Sequence, residues 1–82
     1  MQLRILLFAA IRDAADADSV DIAMQDSPSA SDIIDAVADR FPKVAGLIRV
    51  SRLAVDGQYV GNEYVVEKPE AEFALIPPVS GG

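Results

Sequence analysis

One amphipathic segment in the middle of the chain most restricts how this sequence can fold. Its apolar residues recur with the spacing i, i+3, i+4, i+7, i+8 and i+11, which places them on one face of a helix. Ser29 precedes this pattern as a candidate N-cap, Asp32 stands three residues later in the capping-box position, and Pro42 ends the pattern. The predicted buried face comprises Ala30, Ile33, Ile34, Val37, Ala38 and Phe41.

Short segments with β-strand character surround this helix. They are rich in Val, Ile, Leu and Phe, and most of them alternate in polarity. The Asp56-Gly57 pair is a strong hairpin signal that joins two of them. The predicted strands are residues 2–8, 19–24, 52–55, 58–60 and 73–76.

Three connecting segments give weaker signals. Residues 10–17 are rich in Ala and Asp, and we expect at most one short helical turn there. Residues 43–51 fit either another helical turn or a loop packed on the core. Residues 61–71 are predicted to connect two strands, with Val65 and Val66 directed inward.

This order of elements predicts a two-layer α+β fold, in which a mixed sheet packs on one main helix. The first and last strands are the most apolar, so we expect both near the centre of the sheet. From the pattern alone, a β-grasp, ubiquitin-like fold is one of several possibilities. The domain is predicted to span residues 1–76, followed by an extended tail from residue 77 to 82.

Strand alternation separates two faces of the predicted sheet. The inner face, packed on the helix, should hold Leu3, Ile5, Leu7, Leu53, Val55, Phe73 and Leu75. The outer face should hold Leu6, Phe8, Ala54, Ala74 and Ile76. One helix cannot cover both faces. We therefore expect an apolar outer patch beside the root of the tail, either as a protein interface or covered by a loop such as residues 10–17.

Composition excludes several classes of function. The chain has 82 residues, enough for one domain, and contains neither Cys nor His. Disulfides, thiol nucleophiles, the usual zinc sites and the commonest general acid–base residue are therefore absent. A net charge of −6 argues against nucleic acid; it fits either a basic partner or simple solubility. With no apolar run long enough for a membrane span, a cytoplasmic location is the expectation.

The final residues form the most specific motif. A strand is followed by Pro77-Pro78, which cannot donate ladder hydrogen bonds, then by the short spacer Val79-Ser80 and by Gly81-Gly82. This arrangement resembles the tail of the MoaD family, the small subunit of molybdopterin synthase. A weaker resemblance covers the rest of the chain, including the run from Phe8 to Arg12. The resemblance implies a β-grasp fold.

The resemblance also implies a function, a sulfur carrier for molybdenum cofactor biosynthesis. Gly82, next to Gly81, would be adenylated, converted to a thiocarboxylate and used to donate sulfur to cyclic pyranopterin monophosphate. The chain would act as the sulfur-donating subunit of a sulfurtransferase, without an independent catalytic site. Residues expected to contact the partner are Phe8, Tyr59, Ile76, Pro77, Pro78, Val79 and Ser80.

The partners implied by the resemblance are a MoaE-like large subunit of molybdopterin synthase and a MoeB-like adenylyltransferase. Two small and two large subunits would form a heterotetramer. The chain itself is expected to bind no cofactor or metal, because ATP and magnesium belong to the activating partner. No nucleic acid or membrane partner is expected.

Two features depart from the family pattern, and three other functions compete. The family usually has an aromatic residue before Pro-Pro, where this chain has Leu75-Ile76. It also often has an acidic Asp-Gly-Asp-type turn before the last strand, where this chain has Lys68-Pro69-Glu70-Ala71. Arg12 matches a family position and fits either a partner ion pair or a solvated side chain. The competing functions are a ThiS-like carrier for thiamine synthesis, a ubiquitin-like protein modifier and a simple binding module.

Overall fold

The strands form one mixed sheet in the order β2-β1-β5-β3-β4. The structure, a computed structural model, describes residues 1–78. The strands are β1 Gln2–Leu7, β2 Ser19–Ala23, β3 Arg52–Val55, β4 Gln58–Tyr59 and β5 Phe73–Ile76. The helices are α1 Ala9–Ala15, α2 Ala30–Arg40 and α3 Ala45–Arg49, with a 3₁₀ turn at Pro42–Val44. The predicted α+β order is confirmed, and β1 and β5 are interior strands as expected.

The main helix, α2, begins and ends where its sequence signals predict. The Ser29 hydroxyl accepts from the Asp32 N–H at 3.0 Å, and the Asp32 carboxylate accepts from the Ser29 N–H at 3.0 Å. Two further N–H groups of the first turn donate to the 61–71 connection, to the carbonyls of Tyr64 and Asn62. The start of the helix is therefore satisfied by its own cap and by this loop.

The core lies between α2 and the inner face of the sheet. All seven predicted inner-face strand residues are buried, together with Ile33 and Val37 of the helix. Phe41 follows the last helical residue and is half-buried at the edge of this core. Ile48 from α3 and Ile11 from α1 complete one contiguous apolar cluster.

Helix α1 is longer than the single turn predicted from sequence. It covers seven residues, and Phe8 occupies the N-cap position without a side-chain hydrogen bond. Ala9 has a φ of 52°, a left-handed conformation in which the chain turns sharply from β1 into the helix. At the other end, Asp16 adopts the left-handed conformation and donates its N–H to the carbonyls of Arg12 and Asp13. The full length of this helix is not predicted from the sequence, because no residue with a capping side chain stands at its start.

The predictions for the other connections are partly confirmed. Residues 43–51 are mainly helical, and the Ser51 hydroxyl donates to the Leu47 carbonyl at 2.7 Å. The prediction that both Val65 and Val66 point inward is wrong, since Val66 is buried but Val65 is 48% exposed. Neighbouring residues of an extended segment point to opposite sides, so only one of the two can reach the core.

The Asp56-Gly57 hairpin forms as predicted. Both residues have positive φ, 51° and 82°, as a two-residue type I′ turn requires. Among residues 1–78, no helix is long and apolar enough to cross a membrane.

Candidate docking surface at the root of the tail

The outer face of the sheet is only partly apolar, and its apolar residues are partly exposed to solvent. Leu6, Ala74 and Ile76 are half-buried, and Phe8 is 41% exposed, which agrees with their predicted outward direction. Ala54 contributes little to the patch, because it is only 7% exposed. It lies in a cross-strand row between Ala74 on β5 and Tyr59 on β4. Its side chain is a single methyl group on a strand flanked by β5 and β4, so little of it is exposed.

An apolar groove lies where the tail leaves the sheet. The parallel ladder of β1 and β5 ends at the pair Leu7 and Leu75, so Phe8 and Ile76 are the next residues of the two strands. The groove has a volume of about 510 Å³. The residues that line it, called the tail-root groove below, are Phe8, Ala9, Ala10, Leu47, Ile76, Pro77 and Pro78.

Local backbone structure positions both the aromatic residue of this groove, Phe8, and its prolines. The Phe8 carbonyl accepts hydrogen bonds from the N–H groups of Ile11 and Arg12 at 3.2 and 3.3 Å. Its backbone is therefore held by the start of α1, while its side chain stays on the surface. On the other side, Pro77 and Pro78 have no N–H and end the β5 ladder directly after Ile76. Four of the predicted partner-contact residues thus meet in one groove.

Tyr59, the fifth described residue of the predicted contact set, lies outside the tail-root groove. It is 56% exposed on the edge strand β4, separated from β5 by β3. Arg52 connects the two, because it pairs with Ile76 in the β3–β5 ladder and its guanidinium carbon lies 4.5 Å from the centre of the Tyr59 ring. The described residues of the predicted contact set therefore form, with Arg52, one continuous strip, the docking strip, which runs from Phe8 through Ile76 and Arg52 to Tyr59.

Arg52 and Leu47 also belong to this surface, although they are not among the contact residues predicted from sequence. Arg52 stands two residues before Ala54 and so has the outward parity, which was a usable signal. Its contact with Tyr59 depends on the register of the β3–β4 hairpin, which alternation alone does not specify. Leu47 belongs to the segment 43–51, whose conformation the sequence left open.

The other end of the outer face is charged. Arg4 Nε donates to Asp21 Oδ1 at 3.0 Å across the β1–β2 ladder. This hydrogen bond lowers the pKa of the Asp21 carboxyl below its usual value. A shallow depression of about 470 Å³ lies between this pair and the loop from Pro69 to Glu72. Together with Glu70 and Glu72, this end is acidic despite Arg4.

The loop that departs from the family pattern forms a turn at this acidic end. The Ala71 N–H donates to the Lys68 carbonyl at 3.2 Å, which closes the turn. The next residue, Glu72, donates its N–H to the Asp56 carboxylate at 2.9 Å and accepts from the Asp56 N–H at 2.8 Å. The hairpin tip therefore anchors the loop before β5 begins.

Arg12 does not line the tail-root groove and is not part of the docking strip. It is exposed on α1 and lines a separate polar depression with Asp13, Asp16 and Asp18. No carboxylate lies within ion-pair distance of it among residues 1–78.

In the same part of the chain, no group of three or more His, Cys, Asp or Glu side chains is arranged to hold a metal ion. The predicted roles of Val79, Ser80, Gly81 and Gly82 concern residues outside the described range.

A scan against family models matches residues 5–82 to the ThiS family. The chain belongs to this family. A molybdopterin synthase sulfur carrier subunit from Dictyostelium discoideum is 32% identical over 83 residues, covering 99% of this chain and 96% of that protein. A protein of the same name from Arabidopsis thaliana is 26% identical over 82 residues, covering 100% and 84%. The predicted resemblance to the MoaD family is confirmed.

Solved structures confirm the ubiquitin-like β-grasp fold. Small archaeal modifier protein 1 of Haloferax volcanii has a TM-score of 0.78 and 22% identity, covering 95% of this chain and 98% of its own. A chain from the complex of subunits 1 and 2 of the molybdopterin-converting factor of Helicobacter pylori has a TM-score of 0.67 and 18% identity, with full coverage of both chains. At identities this low, the structural similarity establishes the fold of this ThiS-family chain and does not by itself establish its function.

Proposed function

We propose that this ThiS-family chain is the sulfur carrier and small subunit of a molybdopterin synthase. Gly82 supplies a C-terminal carboxylate that is converted to a thiocarboxylate and delivers its sulfur to cyclic pyranopterin monophosphate. The acceptor is held by a MoaE-like large subunit, and a MoeB-like adenylyltransferase activates the carrier. The synthase is a heterotetramer of two small and two large subunits.

The chemistry explains why a carrier needs activation. A carboxylate is a poor electrophile, because its charge repels nucleophiles and oxide is a bad leaving group. Transfer of AMP from ATP gives an acyl adenylate and releases pyrophosphate. Hydrosulfide or its equivalent then attacks the acyl carbon, AMP leaves, and the product is a thiocarboxylate whose soft sulfur is nucleophilic. ATP and magnesium act in the activating partner, and this chain contributes the acyl group.

The docking strip has the position that such a carrier requires. It begins with Phe8 and Ile76 at the point where β5 ends and Pro77 begins the tail. A partner bound there holds the start of the tail, so that Gly82 is delivered to its site as part of the same complex. Converting an encounter of two molecules into a step within one complex can be worth several kcal/mol, roughly 7–11 in the best cases.

The observation that carries the proposal is the extent of the similarity to named sulfur carriers. The family match runs from residue 5 through Gly82 and so includes both terminal glycines. The Dictyostelium relative aligns over almost the whole of both chains. The name of that relative favours molybdopterin over thiamine as the destination of the sulfur.

Intact-mass spectrometry tests the first half of the proposal. The protein is incubated with ATP, magnesium, a MoeB-like enzyme and a sulfide source, and the expected mass change is the exchange of one oxygen for one sulfur at Gly82. Omission of ATP is the control and should leave the mass unchanged. An unchanged mass in the complete mixture, with an activating enzyme that modifies its own cognate carrier, would contradict the proposal.

The competing functions give different results in further assays. A ThiS-like thiamine carrier would acquire the thiocarboxylate but support thiazole formation instead of dithiolene formation. A ubiquitin-like modifier would be found joined to lysine side chains of other proteins through Gly82. A simple binding module would keep its activity when Gly82 is replaced or removed.

A further inference from the structure

The two arginines on the outer face of the sheet differ in their surroundings. Arg4, at the acidic end, is paired with Asp21 at 3.0 Å. Arg52, in the docking strip, has no carboxylate within ion-pair distance among residues 1–78. Elsewhere in the described chain, Arg49 pairs with Asp35 and Asp39 at 3.7 and 3.6 Å. In a protein with 13 acidic and 7 basic side chains, the outer face thus presents one of its two described cations unneutralised.

Arg52 is nevertheless held in position. Its guanidinium carbon lies 4.5 Å from the centre of the Tyr59 ring, within the range of a cation–π contact. The contact is a diagonal one across the β3–β4 ladder, since Tyr59 lies opposite Ala54 and Arg52 is two residues away on the same face. The contact restricts the long side chain and leaves N–H donors available to a further partner.

The place of Arg52 in the sheet connects it to the tail. It lies opposite Ile76, the last residue of β5, which also lines the tail-root groove. A protein that covers Phe8, Ile76 and Tyr59 must therefore cover Arg52 as well. Covering an arginine without a counter-charge leaves a desolvated cation, which weakens binding. The group that best matches a guanidinium is a carboxylate, which can accept two parallel hydrogen bonds from it.

We propose that Arg52, positioned by the Tyr59 ring, is a specificity determinant of the docking strip and pairs with a carboxylate of the large subunit. This inference rests on the proposed function, because it concerns the partner that takes the tail. The acidic end around Asp21, Glu70 and Glu72 lies on the opposite side of the same face. A correct partner therefore places an acidic group over Arg52 and avoids acidic groups at the other end.

This distribution of charge also selects the orientation of the partner. A partner rotated by half a turn on the sheet would place its carboxylate against Asp21 and Glu72. Like charges brought together across an interface oppose binding, so the arrangement disfavours the reversed complex. The tail can reach the acceptor site in only one orientation, which gives the selection its functional value.

Binding of the purified large subunit tests the role of Arg52. Calorimetry compares the parent with Arg52→Ala, Arg52→Lys and Arg52→Glu. Arg40→Glu is the matched control, because Arg40 is exposed at the end of α2 and the substitution changes the net charge equally. We expect Arg52→Ala to raise Kd about three- to thirtyfold, Arg52→Glu to raise it further and Arg52→Lys to retain part of the affinity.

Ionic strength and the Tyr59 ring provide two further tests. Neither result is expected if Arg52 only supports the fold. The difference in Kd between the parent and Arg52→Glu should shrink as ionic strength rises from about 0.05 to 0.5 M, because salt screens exposed charges. In a double-mutant cycle, Arg52→Ala and Tyr59→Leu should raise Kd by less together than the product of their separate effects. Melting temperatures check that each variant is folded.

The outcomes separate this inference from the proposed function. If the parent binds the large subunit and delivers sulfur, and Arg52→Glu has the same Kd as Arg40→Glu at low salt, the role of Arg52 is refuted and the carrier function stands. If the parent neither binds nor delivers sulfur, the proposed function fails and the inference fails with it. A Kd that rises for Arg52→Glu alone, with strong salt dependence, supports both.

Discussion

Leu7 lies opposite Leu75 at the end of the parallel β1–β5 ladder, and this pair determines where the tail leaves the domain. Both side chains are buried in the core. Because the two strands run in the same direction and end together, Phe8 and Ile76 lie next to each other at the same end of these two strands. The root of the tail is therefore anchored to an interior strand, β5, which pairs with β1 on one side and β3 on the other.

Removing apolar volume from the core-facing side of α2 should strongly destabilise the domain. Ile33 and Val37 are fully buried. Ile33→Ala should lower the free energy of unfolding by about 2–5 kcal/mol, and Val37→Asp should prevent folding because it buries an unpaired charge. Denaturant unfolding measures the first and circular dichroism the second. Equal stability of Ile33→Ala and the parent would show that this face of the helix is misassigned.

The capping box makes a smaller and separable contribution. Ser29→Ala removes the acceptor for the Asp32 N–H and should lower the free energy of unfolding by about 0.5–2 kcal/mol. Ser31→Ala is the matched control, since Ser31 lies inside the helix and its N–H bond to the Asn62 carbonyl is retained. The prediction fails in chemical denaturation if the two variants have the same stability.

The hydrogen bond from Arg4 should be visible in the titration of Asp21. The pKa of Asp21 is lowered in the folded protein, so its stabilising contribution is present above the unfolded pKa and is lost as pH falls through the folded pKa. Arg4→Gln should raise the titration midpoint of the Asp21 carboxyl, measured by NMR in the folded protein. Because both side chains are exposed, we expect little change in neutral-pH stability. An unshifted midpoint would argue against the pair in solution.

Charges introduced into the tail-root groove should weaken docking without unfolding the domain. Phe8→Arg and Ile76→Arg each place a cation among the apolar groove residues. A partner that binds there would have to desolvate this cation, which costs free energy. Val50→Arg is the control, because Val50 is 64% exposed and does not line the groove. Calorimetry with the large subunit should show weaker binding for the first two variants only. Parent-like affinity of both groove variants would place the interface elsewhere.

The sequence predicts those parts of the fold whose signals are local. The boundaries of α2 follow from Ser29, Asp32 and Pro42, and the β3–β4 hairpin follows from Asp56-Gly57. Helix α1 was underestimated because its start depends on the left-handed Ala9 and on a bare Phe8 cap, neither of which has a sequence signature.

The candidate site was predicted in its apolar part and missed in its charged part. Parity alone identifies Phe8 and Ile76 as outward residues beside the tail. The contact between Arg52 and Tyr59 requires the register of two strands, and register is a property of the folded sheet. The same limitation explains Val65, whose direction is set by its bridge to Ser29.

The tail should be sensitive to backbone freedom near its end. Gly81→Val keeps the length but adds a β-branched side chain, which restricts the backbone and widens the tip. We expect it to slow both adenylation and sulfur delivery more than Ser80→Ala, which removes one hydroxyl farther from the reacting carbonyl. Rates for both variants are compared with the parent in the two assays. Equal effects of the two substitutions would contradict the prediction that the tip must stay slender and free in its backbone.

Sulfur delivery by a carrier that lacks Gly82 is the decisive test of whether the C-terminal glycine carries the sulfur. The parent and the deletion variant are prepared with a chemical thiocarboxylate, which bypasses adenylation, and the rate of dithiolene formation is measured with the large subunit and cyclic pyranopterin monophosphate. The deletion shortens the tail by about 3.5 Å, and a misplacement of even about 1 Å can slow a reaction on the order of a hundredfold. The carrier account predicts dithiolene formation by the parent and its near-complete loss in the variant, with equal melting temperatures. Equal rates for the two proteins would contradict it.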